Sequence, residues 1–274
     1  MAIQIKMPED ARFLMPTIVN QSRLGSRNDG GYVTPNNAWN NKCSVISMGV
    51  KDDWTFESHL SKLIPKGRIL CFDPTVSALS FLFAFFKSVG NAIQLSDWTF
   101  RRRAGLIRLR LKTLFGYVVF FSHPKRKHIK KWGRLASGKD SISLTGAVLL
   151  VPRTDEVLIK MDIEGDEYAL LEEFANSEEY LRTRAFFIEF HEIDENWHSF
   201  SSVVKKLQLN FTVTHLHANN CVRELGANGL PRFVEITFLR SDLVSSSAFQ
   251  MHLPVAGVDS PNKEEELDFE ITFS

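Results

Sequence analysis

The sequence predicts an α/β protein with a ligand site at the carboxyl edge of an open sheet, and three strand-to-helix junctions carry that prediction. In one, Val157-Leu158-Ile159, continued by Met161 and Ile163, runs into Asp162-Ile163-Glu164-Gly165-Asp166-Glu167 and then into Leu170, Leu171 and Phe174 at helical spacing. In another, Ser44–Met48 closes on Gly49-Val50 and a polar turn, Lys51-Asp52-Asp53. In the third, Arg68–Phe72 ends in Asp73. Polar groups that leave a strand at its carboxyl end lie where open α/β sheets bind ligands.

Composition bounds the answer. A chain of 274 residues, 44% hydrophobic and 24% charged, can bury one large core, with or without an insertion. A net charge of +1 does not mark the whole molecule as a polyanion binder. Three widely spaced cysteines, Cys43, Cys71 and Cys221, point to a reducing compartment and away from a disulfide framework or a cysteine-built zinc site. The start of the chain has no apolar segment of signal-peptide length, and no run is long enough to span a bilayer. A cytoplasmic protein is expected, with a peripheral position at the inner membrane surface as one variant.

Along the chain, residues 1–40 are rich in turn signals, Asp29-Gly30-Gly31-Tyr32 and Pro35-Asn36-Asn37. Arg23, Asp29 and Tyr32 could close over a bound molecule, although turn chemistry alone accounts for the Asp-Gly-Gly. After the strand at 44–48, Trp54, Phe56, Glu57, Leu60 and Leu63 mark a helix, and Gly49 permits a close backbone approach. Asp73 falls about 20 residues beyond that glycine turn, where nucleoside-binding folds hold ribose hydroxyls; capping of the next helix by Asp73 or Thr75 is the plainer alternative. That helix is expected from Val76 to Ser88, and a third strand from Ala92 to Leu95.

Residues 101–134 are strongly basic, with Arg101, Arg102, Arg103, Arg108, Arg110 and Lys112 before the apolar run 116–121 and Lys125, Arg126, Lys127, Lys130, Lys131 and Arg134 after it. No acid occurs between Asp97 and Asp140. The segment is read as an insertion. A solvated face is the plainest account; an anionic acceptor, or an anionic lipid surface met by a basic amphipathic helix, are the functional ones. Nucleic acid is not expected, since no binding motif for it is visible. Further on, Ala185–Ile188 leads to Glu189, Phe190, His191 and Glu192, and Phe211–Asn220 alternates so that His215, His217 and Asn219 share a face. Phe233–Leu239 is another strand, bearing Glu235, and the acidic tail ends in a last strand, 269–273, or is solvated.

Together the segments SMGVKDDWTFE, CFDPT, VLIKMDIEGDEYALLEEF, FFIEFHEID, HLHANNC and PRFVEITFL, with the upstream RLGSRNDGGYV, resemble FkbM-type S-adenosylmethionine-dependent methyltransferases from about Arg23 to Arg240. The resemblance implies a class I, Rossmann-like methyltransferase fold: a mostly parallel seven-stranded sheet with helices on both faces, here with a basic insertion. It implies a methyltransferase domain at 41–240, the insertion at about 101–135, and a C-terminal tail, 241–274, packed on the same domain. By position Gly49 and Val50 would face the methionine part of S-adenosylmethionine, and Asp73 and Pro74 the ribose, with Asp162 beside them. It also supplies the acceptor class, a sugar hydroxyl in a glycan, a glycolipid or a nucleotide-linked sugar.

Methyl transfer from a sulfonium asks the enzyme to hold the acceptor oxygen in line and to help remove its proton. His191 is the expected base, with Asp162 as its catalytic companion. Alternatively Asp162, Glu164, His191 and Asn219 bind Mg²⁺ or another divalent cation that acidifies the acceptor. His217, Asn219, Arg23 and Tyr32 are expected to touch the substrate. The rival readings are a metal-dependent transferase using a nucleotide sugar, and a non-catalytic domain of the same fold that docks an anionic partner.

Overall fold

The computed structural model describes residues 2–93 and 97–273, apart from the side chains of 90–93 and 97–103. The strands are β1 (Ile3–Lys6), β2 (Gln21–Leu24), β3 (Tyr32–Pro35), β4 (Cys43–Met48), β5 (Ile69–Phe72), β6 (Arg126–Ile129) and β7 (Trp132–Gly133). They continue as β8 (Ser141–Ile142), β9 (Glu156–Met161), β10 (Thr183–Phe190), β11 (Phe211–Ala218), β12 (Val234–Arg240), β13 (His252–Leu253) and β14 (Phe269–Thr272). The helices are α1 (Thr55–Leu63), α2 (Ala78–Ile93), α3 (Asp97–Phe121), α4 (Leu144–Val148), α5 (Glu167–Phe174) and α6 (Trp197–Leu207).

Seven strands form the main sheet in the order β11-β12-β10-β9-β4-β5-β6. Neighbours from β10 to β6 pair in parallel, and β12 runs antiparallel to β10 and β11. This mixed α/β sheet, wrapped on both sides by helices, has the class I Rossmann-like architecture expected from the sequence. Every residue of β4, β5 and β10 is buried, as strands covered on both faces require. Alternation divides the core. Ile46, Leu70, Val157, Ile159, Phe186 and Ile188 pack with α4, α5 and α6 on one face. Val45, Ile69, Cys71, Leu158 and Phe187 pack with Phe56 and Leu60 of α1, Phe120 of α3 and Tyr32 on the other.

Four local expectations need correction. Ala92 and Ile93, placed in a third strand, belong to α2, while Gln94 and Leu95 lie outside the described residues. The third parallel strand is β6, inside the basic segment, so that segment is not wholly an insertion. The basic segment also forms no single amphipathic stripe. On α3, Leu106 and Leu109 are turned away from Leu111, Phe115 and Val118 by the helical period, although all five are exposed. The loop-rich start is also more ordered than its turn signals suggest. β2 and β3 form an antiparallel hairpin around Asp29-Gly30-Gly31, and β1 joins β14 and β13 in a small sheet that ties the start of the chain to its end.

Candidate active site

The carboxyl ends of β4, β5 and β9 open onto a cleft lined by Gly49, Lys51, Asp73, Pro74, Trp132, Asp162 and Glu164 among others. Gly49 is dictated by the neighbouring strand. Its φ is +75°, and a Cβ there would stand 1.7 Å from the Asp162 carbonyl oxygen. The two strand ends are laced together at this point, with Asp162 N–H donating to Met48 O and Gly49 N–H to Phe72 O, each at 3.0 Å.

Asp73 fixes the loop that follows Gly49. Its Oδ2 accepts the N–H groups of Val50 and Lys51 at 3.0 and 2.7 Å, and its Oδ1 accepts the N–H and hydroxyl of Thr75 at 2.7 and 2.5 Å. Burial opposes the charge, but these four bonds outweigh it and hold the carboxyl below its ordinary range. Asp73 forms an Asx turn with Thr75 and stands in the cleft wall, whereas the first turn of α2 is bonded by Ser77, whose hydroxyl accepts the Ser80 N–H at 3.1 Å, and not by Asp73 or Thr75. The Thr75 hydroxyl is the one donor of the four that can rotate away and yield its place.

Beside the cleft, His191 is more than nine-tenths buried, and its Nδ1 lies 2.8 Å from Glu167 Oε1. Its Nε2 faces Asp162 Oδ1 and Glu164 Oε2, both at 3.6 Å. Burial draws the imidazole down, yet the bond and charge of Glu167, with Glu189 and Asp162 behind them, raise it to about 9. The ordinary value near 6.5 assumed from the sequence does not hold here. Glu167 is fully buried and also accepts the N–H groups of Ile163 and Gly165, at 3.0 and 2.8 Å, so one carboxylate shapes the acidic loop and orients the histidine. Asp162 Oδ1 is buried with no hydrogen-bond partner among the described residues. Asp162, Glu164 and His191 each offer a ligand atom to one point, all within 4.8 Å of one another.

Lys160, two residues before Asp162 and on the same face of β9, is buried. Its ammonium donates to the Gly49 carbonyl, lies 3.5 Å from Asp162 Oδ2 and sits 5.8 Å from the Tyr32 ring centroid. Burial disfavours its charge, but Asp162, Glu57 and Glu189 more than restore it. A second acidic group lies apart from the cleft lining: Asp29, Glu189 and Glu235 bring carboxylate oxygens within 4.8 Å of one another. Burial, then Asp162 and Glu235, push the Glu189 carboxyl well up.

The remaining expected residues have partners of their own. Asn219 donates to Glu189 at 2.6 Å and accepts from Cys221 N–H at 2.8 Å, so both ends of its amide are engaged. His217 is buried between Asp268, at 2.9 Å, and Glu235, at 3.5 Å. Arg23 braces its own turn through Ser26 O and Asn28 O, away from the cleft lining. Tyr32 is buried against Phe56 and Phe187 on the Lys160 side. Sequence reasoning missed Lys160 and Glu167. A lysine inside the apolar run VLIKM was a visible signal for the first, whereas nothing local distinguishes Glu167 from any acid in a first helical turn. Strain also gathers here. Lys51, Glu164 and Glu192 are non-glycine residues at φ +47°, +60° and +51°, all beside this cleft or His191.

No protein-family model matches this sequence, and neither does any curated protein. Among solved structures, a chain of a fibrillarin/Nop5p complex is similar at 13% identity over 74% of this chain and 74% of its own, with a TM-score of 0.38. A Methanococcus jannaschii fibrillarin pre-rRNA processing protein is 11% identical over 73% and 67%, with a TM-score of 0.36. The precorrin-6y C5,15-methyltransferase of Geobacter metallireducens is 12% identical over 74% and 82%, with a TM-score of 0.35. Likenesses this distant say nothing of what the chain binds or does.

Proposed function

We propose that the protein is an S-adenosylmethionine-dependent O-methyltransferase acting on a sugar hydroxyl, in keeping with the FkbM-type resemblance of its sequence. The observation that carries the proposal is the meeting of Gly49, Asp73 and Asp162, from the ends of three adjacent parallel strands, in one cleft. Its carboxylates suit a cofactor that carries a sulfonium and an amino group, Lys51 and Lys131 suit a carboxylate, and the exposed Trp132 offers a flat face to a base.

The cofactor, when bound, supplies an electrophilic methyl group; the chain supplies position and proton transfer. The unpartnered Asp162 Oδ1 is a ready acceptor for the hydroxyl's hydrogen bond, and His191 Nε2 faces the same gap. Neutral His191 takes the proton and Asp162 then stabilises the imidazolium. Because the carboxylates hold His191 protonated up to about pH 9, the rate should climb with pH toward that value. Asp29, Glu189, Glu235 and Asn219 together suit a neutral polyol with several hydroxyls better than an anionic sugar.

The test is calorimetric titration with S-adenosylmethionine and S-adenosylhomocysteine, repeated on Asp73→Ala. Micromolar binding, weakened at least about tenfold by the substitution (about 1.4 kcal/mol), is expected. A folded protein that binds neither ligand refutes the proposal, and nucleotide sugars with a divalent metal become the next ligands to try.

One observation favours a metal-assisted variant. The Glu167–His191 pair followed by Asp162 and Glu164 is the arrangement in which a carboxylate orients a histidine whose other nitrogen meets a cation. In that variant chelator-treated enzyme loses its activity and Mg²⁺ or Mn²⁺ restores it; full activity after chelation rules it out.

A further inference from the structure

The hairpin of α2 and α3 exposes a large apolar surface that the catalytic reading does not use. On α2, Leu79, Leu82, Phe83 and Phe86 follow one another at the spacing of a single helical face, and all four are exposed, Phe83 at 76%. On α3, Leu111, Phe115, Val118 and Val119 form a second stripe, with Phe115 69% exposed. Single exposed apolar residues need no explanation, but two stripes on packed helices do. The base of the hairpin is firmly held. Trp54, Phe81, Tyr117 and Phe121 pack as an aromatic cluster, and the Tyr117 hydroxyl lies 2.6 Å from His128 Nδ1 on the edge strand β6.

We propose that this hairpin docks the protein on an anionic lipid surface. Charge chooses that occupant. Arg108 and Lys112 lie one turn from Leu111 and Phe115, so cations border the apolar stripe itself. Lys87 adjoins Phe86 and is exposed, and the sequence has no acid from 98 to 139. A second copy seated on the same face would set these cations against their equivalents. Anionic headgroups take the cations while the phenylalanines and leucines enter the acyl boundary. No described helix is long and apolar enough to cross a membrane, so the hairpin lies on the surface. α2 starts five residues after Asp73, a residue of the cleft wall, so the hairpin leaves the fold from the same sheet edge. The docking proposal stands independently of methyl transfer.

The test is flotation of the full chain with vesicles of phosphatidylcholine alone and of equimolar phosphatidylcholine and phosphatidylglycerol. Binding to the mixed vesicles, weakened by salt, is expected. Phe83→Ser/Phe115→Ser and Arg108→Gln/Lys112→Gln should each lower partition about tenfold or more and leave S-adenosylmethionine titration and circular dichroism unchanged. Absence of binding to anionic vesicles, or equal binding by both double variants, overturns the proposal. So does a lipid-free dimer that dissociates on Phe83→Ser/Phe115→Ser in a chain that ignores vesicles, since a second copy then covers the face.

Discussion

Glu167 spends both carboxylate oxygens on other parts of the site, holding the acidic loop through two backbone N–H groups and His191 through Nδ1. It touches no reacting atom in the proposed mechanism and is a positioning residue. Glu167→Gln keeps an oxygen for one loop N–H but removes the negative charge behind the imidazole. The lost charged bonds should cost about 1–3 kcal/mol of stability. More telling is the pH profile of methyl transfer, whose inflection near 9 should move toward the ordinary histidine range as the imidazole loses its nearest anion. An inflection that stays in place while activity falls would reduce Glu167 to a structural brace. At this scale the sequence was partly legible. Asp73, Asp162 and His191 stand at strand ends and could be found by position, and Lys160 interrupts an apolar strand. Glu167 reaches its partner only through the packing of α5 against β10, which no local pattern records.

Among the elements, legibility followed burial. β4, β5, β9 and β10 are covered on both faces, so their residues are mostly apolar, and they close on Gly49, Asp73, Asp162 and His191. β6 carries the sequence RKHI at the sheet's edge, with one neighbour and no apolar run, and charges are what an edge strand tolerates. The basic residues that disguised it as part of an insertion are therefore consistent with its place. α2 misled in the opposite direction. The brief run Ala92-Ile93-Gln94-Leu95 suits a short strand as well as a helix end, because so few residues have no period to separate the two. The short strands β1, β13 and β14 are paired through contacts between the two ends of the chain, and only β14 left a local trace.

For the whole molecule, the consequence of this topology is an unusual density of acid at one edge. Asp162, Glu167, Glu189, Glu235, Asp259 and Asp268 are gathered around His191, His215, His217 and Lys160 by strands and tail from distant parts of the sequence. Folding into this arrangement favours the charged imidazoles of His191 and His217. Burial lowers His217, but its bonds to Asp268 and Glu235 raise it well above the ordinary range, and His191 is raised to about 9. A histidine raised in the folded state stabilises fully below its unfolded value near 6.5, and that stability is lost as pH rises through the folded value. Glu189, raised for a carboxyl, acts in the same direction from lower pH. Asp73 and Asp259 are lowered and act oppositely, losing their contribution only in acid. Stability should therefore peak on the mildly acidic side and fall between pH 6.5 and 9, by on the order of 3 kcal/mol from His191 alone. Urea unfolding across that range, with a chelator present so that no cation replaces the proton, measures it. His217→Gln should flatten the slope, because the proton it removes is bound in the folded state and released in the unfolded one. A wild-type midpoint that is level from 6.5 to 9 would mean that these histidines are neutral when folded, and the proposed division of roles between His191 and Asp162 would have to be redrawn.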